Sequence, residues 1–347
     1  MIRPAVCFLI AVFGLCAQPS PSVAPGQPGR IVQPPVAAGQ PIGTGQPPAP
    51  SPSDTVIRVN VRLVRMLVTV KDAAGQLVGS LNKSDFSIYD NGVKQEIALF
   101  DRETEQPLSV AMLVDTSAST GIEKSYEVDS VSRFLRVLLT EGNPEDTVSL
   151  YTFDWQVWQR SSYTRRFAQV DSILKQLKSS GGTSMYDAIY FASRDLEYRN
   201  GRHVMVLITD GGDTTSSKDF HQALESAQFA DTILYPVLVV PITNDAGRNI
   251  GGENALTTLA AGTGGRVFTP NLGAQLDRAF DDILRELRTQ YLIGFYPKDV
   301  PPSKDRFHTL KVTVQSAGAA TPNRGLRVST RSGYYGEANE GRSRFGQ

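Results

Sequence analysis

Three short stretches of the chain combine carboxylates, hydroxyls and glycines in a way that suits the binding of a hard metal ion. Residues 115–119 read DTSAS and follow an apolar run, LSVAMLV. Residues 181–184 read GGTS, and residues 209–213 read TDGGD after the mostly apolar segment HVMVLI. Across the three stretches, the candidate metal ligands are the two carboxylates and three hydroxyls of Asp115, Ser117, Ser119, Thr183 and Asp210.

These ligands are all oxygen atoms, which favours Mg²⁺, with Mn²⁺ or Ca²⁺ as alternatives, over zinc or copper. Alternate residues of a nearly extended loop project to one side, so Asp115, Ser117 and Ser119 can converge on one ion. If either aspartate acts through water, the ion keeps residual positive charge and an open position. A Glu or Asp of a partner protein would complete the shell. Each stretch alone also has an ordinary explanation, as a helix cap, a helix-entry turn or a surface loop.

The elements around these stretches predict where they meet. Between residues 106 and 288, apolar strand-like runs alternate with amphipathic helical patterns. This pattern predicts an α/β fold, a doubly wound and mostly parallel sheet with helices on both faces. Ligands of such folds lie beyond the C-terminal ends of the strands, and the three stretches fall at element boundaries of this kind.

The flanking segments predict a second layer of structure. Residues 54–105 and 289–336 show strand patterns, including a hairpin signal at Asn91-Gly92. Two or three strands are marginally stable alone. We therefore expect both segments to form one discontinuous antiparallel β-sandwich into which the α/β domain is inserted.

The two ends of the chain indicate export. Residues 1–17 have the charge and the short apolar core of a signal peptide, with an uncleaved anchor or a buried strand as alternatives. Residues 18–53 are rich in Pro and Gly and predict a disordered linker, and residues 337–347 predict a disordered tail. We expect an exported protein, in the periplasm, on the cell surface or secreted. Its membrane contact would come only from the signal or from a lipid on Cys16.

The stretch from about Leu108 to Arg288 resembles the von Willebrand factor type A (VWA) domain with its metal-ion-dependent adhesion site. DTSAS, GGTSMYDAI and ITDGGD carry this resemblance. It implies that Ser117, Ser119 and Thr183 ligate the ion, that Asp115 and Asp210 act directly or through water, and that a partner's acidic side chain takes the open position. Over residues 55–336 the chain resembles the secreted bacterial VWFA-related proteins of the acidobacterial type.

Several neighbouring residues have two possible roles. Asp154, Asp187 and Asp213 are candidates for a second shell around the metal. For Asp154 and Asp213 a solvated loop carboxylate is the alternative, and for Asp187 a favourable interaction with a helix dipole is the alternative. Trp155 and Trp158 are expected to pack at an edge strand or in the core.

The function expected is metal-dependent protein binding or adhesion, and not catalysis. The chain has three histidines, none in a G-x-S-x-G or H-E-x-x-H context, and no phosphate-loop motif. Its 35 basic and 35 acidic residues balance, which argues against a nucleic-acid partner. The alternatives are a structural envelope component with a purely structural metal and a metal-dependent hydrolase. The family resemblance also implies that the helix predicted at Leu272–Arg288, which leads into a strand at Tyr291, shifts on ligand binding.

Overall fold

The computed structural model describes residues 63–102, 106–117, 124–239, 249–271, 273–301, 306–315 and 325–336, with the side chains of 124–127 excepted. All of these belong to one compact unit, Val59–Gln347. The predicted signal peptide, Cys16, the proline-rich linker, Ser119 and the predicted tail lie outside the described residues. No helix in the described part of the chain is both long and apolar enough to cross a membrane.

The described elements follow the order expected from the sequence. The first flank forms β1 (Val64–Asp72), β2 (Phe86–Asp90), β3 (Val93–Gln95) and β4 (Ile97–Asp101). The α/β part forms β5 (Leu108–Asp115), α1 (Lys124–Glu141), β6 (Thr147–Phe153), β7 (Val157–Thr164), α2 (Phe167–Leu174), α3 (Met185–Glu197), β8 (Arg202–Thr209), α4 (Phe220–Phe229), β9 (Thr232–Leu238), α5 (Ile250–Thr263) and α6 (Ala274–Thr289). The second flank forms β10 (Tyr291–Phe295), β11 (Phe307–Val314), β12 (Leu326–Ser329) and β13 (Gly333–Tyr335).

A sheet in the order β7-β6-β5-β8-β9 forms the centre of the α/β part. Its strands are parallel except β7, which pairs antiparallel with β6 at the edge. All eight residues of β5 are buried, because both faces of the sheet are covered. Met112 belongs to a core cluster with residues of α1 and α6, whereas Leu113 belongs to one with residues of α3, α4 and α5. The predicted fold class is confirmed.

The flanking segments build two antiparallel sheets, in the orders β12-β1-β10-β4 and β13-β11-β2-β3. Each sheet contains strands from both flanks: β1 pairs with β10 and β12, and β2 pairs with β11. Phe86 of one sheet contacts Tyr291 of the other, with ring centroids 5.0 Å apart. The two sheets therefore share one core, face to face, which makes a β-sandwich of residues far apart in sequence.

A buried polar cluster joins the end of α6 to the β-sandwich. Gln290 donates to the Thr69 hydroxyl at 3.0 Å and to the Tyr235 hydroxyl at 3.1 Å, and it accepts from Arg202. Arg202 also donates to the Leu287 carbonyl at 2.5 Å. The last turn of α6 is thus held by residues of β1, β8 and β9.

Glu286 of the same helix turn is buried, with 2% of its side chain exposed. Its carboxylate lies 2.7 Å from the Lys71 ammonium and 2.9 Å from Arg266 Nε. Charged residues of an amphipathic helix usually face solvent. Glu286 does not, because Lys71 of β1 compensates its charge inside the junction.

Candidate functional site

Asp115 ends β5 and is the most deeply placed acid among the predicted ligands, with 2% of its surface exposed. Its Oδ1 accepts the Ser117 backbone N–H at 2.8 Å, and its Oδ2 accepts the Thr209 hydroxyl at 2.7 Å. Burial raises the pKa of Asp115 to about 6, and the charge of Asp210 adds to this rise against the opposing hydrogen bonds. The ionised form of this carboxyl is therefore destabilised unless a cation lies beside it.

Backbone hydrogen bonds hold the first predicted stretch against the second. The Ser180 N–H donates to the Thr116 carbonyl at 2.8 Å, and Ser117 forms a parallel bridge with Ser180. The Thr116 N–H in turn donates to the Phe153 carbonyl at the end of β6. As a result, the loop that carries Thr183 begins directly beside the ligands that follow β5.

The second stretch is also bonded to the loop that follows β8. The Thr214 N–H donates to the Thr183 carbonyl and the Thr183 N–H to the Thr214 hydroxyl, both at 2.9 Å. The Ser184 and Thr215 hydroxyls lie 2.8 Å apart. All three stretches thus meet at the C-terminal edge of β5 and β8, which are neighbouring parallel strands.

The chemistry of the donors fits a divalent cation. Among the described residues, the Thr183 hydroxyl and the Asp210 carboxylate make no hydrogen bond, while the Ser117 hydroxyl bonds to Asp115. No group of three or more His, Cys, Asp or Glu side chains suited to a metal occurs in the described part of the chain. A site here would depend on two carboxylates and on hydroxyls, as the sequence predicts. Ser119 lies outside the described residues.

The three candidates for a second shell all bind loop backbone. Asp154 is buried and accepts the Gln156 N–H at 2.9 Å, so the expectation of a solvated carboxylate is wrong for it. Asp213 accepts the Tyr186 N–H at 3.0 Å. Asp187, in the first turn of α3, accepts the Lys218 N–H at 2.8 Å. These acids shape the turn after β6 and the loop after β8; their role as a second metal shell stays a prediction.

Of the two tryptophans, Trp158 lies on an edge strand as expected, whereas Trp155 lies neither on an edge strand nor in the core. Trp155 is 57% exposed and Trp158 is 45% exposed, although Trp158 does lie on the edge strand β7. Trp155 occupies the turn between β6 and β7, against Gly182 of the second stretch. Sequence patterning alone gave no sign that Trp155 borders the site.

Comparison with known proteins identifies the family of one part of the chain. Residues 110–212 match the family model of the von Willebrand factor type A domain. The protein contains a VWA domain. The family resemblance read from DTSAS, GGTS and ITDGGD is confirmed at this level, whereas the metal-ion-dependent adhesion site and the acidobacterial-type subgroup stay predictions.

Solved structures similar to the chain include other VWA domains. One is the vWF domain of the type V pili tip protein Mfa5 from Porphyromonas gingivalis, with 15% identity, a TM-score of 0.42, and coverage of 52% of this chain and 94% of that one. A von Willebrand factor type A protein from Catenulispora acidiphila has 11% identity and a TM-score of 0.42, with coverage of 78% and 74%. The conserved hypothetical protein BatB from Bacteroides thetaiotaomicron has 16% identity and a TM-score of 0.42, with coverage of 52% and 100%. No curated protein sequence matches the chain.

Proposed function

We propose that this protein binds an acidic side chain of a partner protein through a divalent cation held by Asp115, Ser117, Ser119, Thr183 and Asp210. VWA domains commonly mediate protein interactions and adhesion. The main support for the proposal is Asp115, a buried carboxyl at the end of β5: both of its oxygens accept hydrogen bonds and burial raises its pKa, so a cation there would stabilise its ionised form. Mg²⁺ is the cation we propose, with Mn²⁺ or Ca²⁺ as substitutes.

The charge balance of the loops supports a carboxylate as the ligand. When bound, a divalent cation supplies positive charge and a coordination position for an oxygen of the partner. Asp115 and Asp210 bring two negative charges, and the hydroxyls of Ser117 and Thr183 bring none. An aspartate that reaches the ion through a water neutralises it less completely, which leaves attraction for a Glu or Asp of the partner.

The histidines support a binding role over a catalytic one. The ring of His203 lies within hydrogen-bond distance of the backbone oxygens of Ala230 and Arg199, at the N-terminal end of β8. His308 contacts the Asp90 carboxylate within the β-sandwich. The third, His221, lies in the first turn of α4. Neither His203 nor His308 lies at the strand ends where the predicted ligands meet, so neither is placed to act as a base there.

We further propose that the protein acts outside the cytoplasm. This rests on the signal-like residues 1–17 and the proline-rich residues 18–53, which suit a tether between a membrane or wall and the folded part. Lipidation of Cys16 would anchor it; cleavage would release it to the periplasm, the surface or the medium.

The test is partner capture from envelope extracts by the immobilised protein in Mg²⁺, followed by elution with a chelator. The Asp115→Ala/Asp210→Ala variant should capture nothing that the chelator elutes. Asp281→Ala, which removes an exposed carboxylate of α6, is the matched control and should behave as the wild type. Each variant must first unfold cooperatively. Capture that resists both the chelator and the double substitution would contradict the proposal, and metal-dependent hydrolysis abolished by the same substitutions would replace it with an enzyme.

A further inference from the structure

Two large apolar side chains are exposed on segments that contact the loops of the predicted ligands Thr183 and Asp210. Trp155, in the turn between β6 and β7, is 57% exposed, and Ile250, the first residue of α5, is 67% exposed. We infer that Trp155 and Ile250 form an apolar rim on two sides of the metal site, and that the partner segment has an acidic residue flanked by apolar side chains. This inference rests on the proposed function and specifies the partner of that site.

The turn that carries Trp155 is fixed to the loop that carries Thr183. The Ser184 N–H donates to the Asp154 carbonyl at 2.6 Å. Gly182 packs so closely that a Cβ added there would lie 3.0 Å from the Trp155 Cβ, and its φ of +77° favours glycine. Trp155 therefore contacts the residue next to a predicted metal ligand, and its ring is mainly in solvent.

The start of α5 is fixed in the same way to the loop that carries Asp210. A Cβ added to Gly212 would lie 1.9 Å from Asn249 Nδ2, and one added to Gly252 would lie 2.0 Å from the Gly211 carbonyl oxygen. Asn249 caps α5 by accepting the Gly252 N–H at 2.9 Å. Ile250 lies between Asn249 and Gly252 in the chain, and these two residues contact the glycines that come directly after Asp210.

An apolar rim would add selectivity between acidic partner segments, which a cation alone does not provide. A bound cation accepts a carboxylate from any accessible Glu or Asp, so it cannot by itself select a partner. Burial of a Trp and an Ile beside it gives affinity only to segments with apolar groups near the acid, and Trp is one of the residues enriched at binding hot spots. Both side chains are on backbone that is held by close packing, which lowers the entropic cost of binding.

The test uses the full chain and a peptide library with a fixed Glu and three randomised positions on each side, in Mg²⁺. The wild type should enrich Leu, Ile, Met, Phe and Trp near the Glu, and Trp155→Ser/Ile250→Ser should not. Tyr198→Ser is the matched control: Tyr198 is 77% exposed but follows the far end of α3, about 20 Å along the helix from Thr183. It should keep the wild-type enrichment.

A fluorescence titration then measures the effect on affinity. For a Leu-flanked Glu peptide, the double variant should bind at least about tenfold more weakly than the wild type. For the same peptide with Ser flanks, the two proteins should bind equally. Absence of apolar enrichment, equal enrichment by wild type and double variant, or no bound peptide at all would overturn the inference.

Failure of the rim and failure of the metal site are distinguished by two further selections. One repeats the library in a chelator, and the other replaces the fixed Glu by Gln in Mg²⁺. If binding is lost both in the chelator and with Gln, and the Glu library in Mg²⁺ shows no apolar enrichment, the rim is overturned and the metal site is supported. Apolar enrichment that persists in both and depends on Trp155 and Ile250 would support the rim as an apolar surface and overturn cation-dependent capture.

Discussion

Replacement of Asp115 by Asn should stabilise the metal-free protein at neutral pH. Burial raises the pKa of this carboxyl from 3.8 to about 6, so its ionisation costs the fold about 3 kcal/mol, at about 1.4 kcal/mol for each tenfold change in proton affinity. Asn removes that cost, but it lacks one of the two oxygens that accept from Ser117 and Thr209. The net gain in unfolding free energy should be about 1–3 kcal/mol.

The sign of the pH dependence follows from the direction of the pKa change. Because the folded state holds the Asp115 proton more tightly than the unfolded state, the wild type loses stability as the pH rises from about 4 to about 6. Above pH 6 the loss is complete. The stability difference between Asp115→Asn and wild type should therefore be small at pH 4 and largest at pH 7 and above.

Urea unfolding in a chelator, at several pH values between 4 and 8, measures this difference. Mg²⁺ should then reverse the order, because at a thousandfold excess over the Kd the wild type gains about 4.1 kcal/mol and the variant gains little. If Asp115→Asn is the less stable protein at pH 8 without metal, burial does not destabilise the ionised Asp115 carboxylate as proposed. Equal stabilisation of both proteins by Mg²⁺ would refute Asp115 as a ligand.

Three further predictions concern the junction with the β-sandwich and the site loops. Glu286→Ala should lower the unfolding free energy, measured in urea, by about 2–4 kcal/mol, because it leaves two cations without their buried partner. Asp282→Ala removes one acid of a half-exposed ion pair and should lower the unfolding free energy by less than about 0.5 kcal/mol. Equal losses would contradict the burial argument. Gly182→Ala should lower the unfolding free energy by about 1–3 kcal/mol, since the φ of Gly182 is positive and Trp155 leaves no room for a Cβ. Gly181→Ala, where an added Cβ has no atom within 4 Å, should change the unfolding free energy by less than about 0.5 kcal/mol. A neutral Gly182→Ala would show that the loop relaxes. If the last α/β helix links the site to the β-sandwich, a bound acidic peptide in Mg²⁺ should change hydrogen exchange over residues 285–291, and unchanged exchange there would remove the link.

The α/β architecture could be predicted because local signals and tertiary structure agree. The run at β5 is apolar at nearly every position, which fits a strand covered on both faces, and its end at Asp115 marks where ligands of such sheets bind. The pairing of the two flanks could also be predicted, since neither has enough strands to be stable alone. The positions of Thr183 and Asp210 in loops near Asp115 follow from the same element boundaries, while their role as metal ligands stays a prediction.

Other features depend on contacts between distant segments, which periodicity does not report. Glu286 reads as a surface charge on an amphipathic helix, but Lys71, more than two hundred residues away in sequence, pairs with it inside the junction. The sequence pattern suggests that Trp155 packs in the core or at an edge strand. In the structure, the turn after β6 packs against Gly182 and leaves the indole exposed. Asp154 reads as a loop acid, but it is buried because it shapes that turn.

A Mn²⁺ titration followed by electron paramagnetic resonance shows whether oxygens from the three loops bind one divalent cation. We predict one tightly bound ion per wild-type chain, competed by Mg²⁺, and loss of that site in Asp115→Ala, Thr183→Ala and Asp210→Ala proteins that still unfold cooperatively. Addition of a Glu peptide should change the spectrum of the bound ion. No bound Mn²⁺ in the wild type, or a bound ion whose spectrum does not respond to the peptide, would contradict a cation site open to a partner carboxylate.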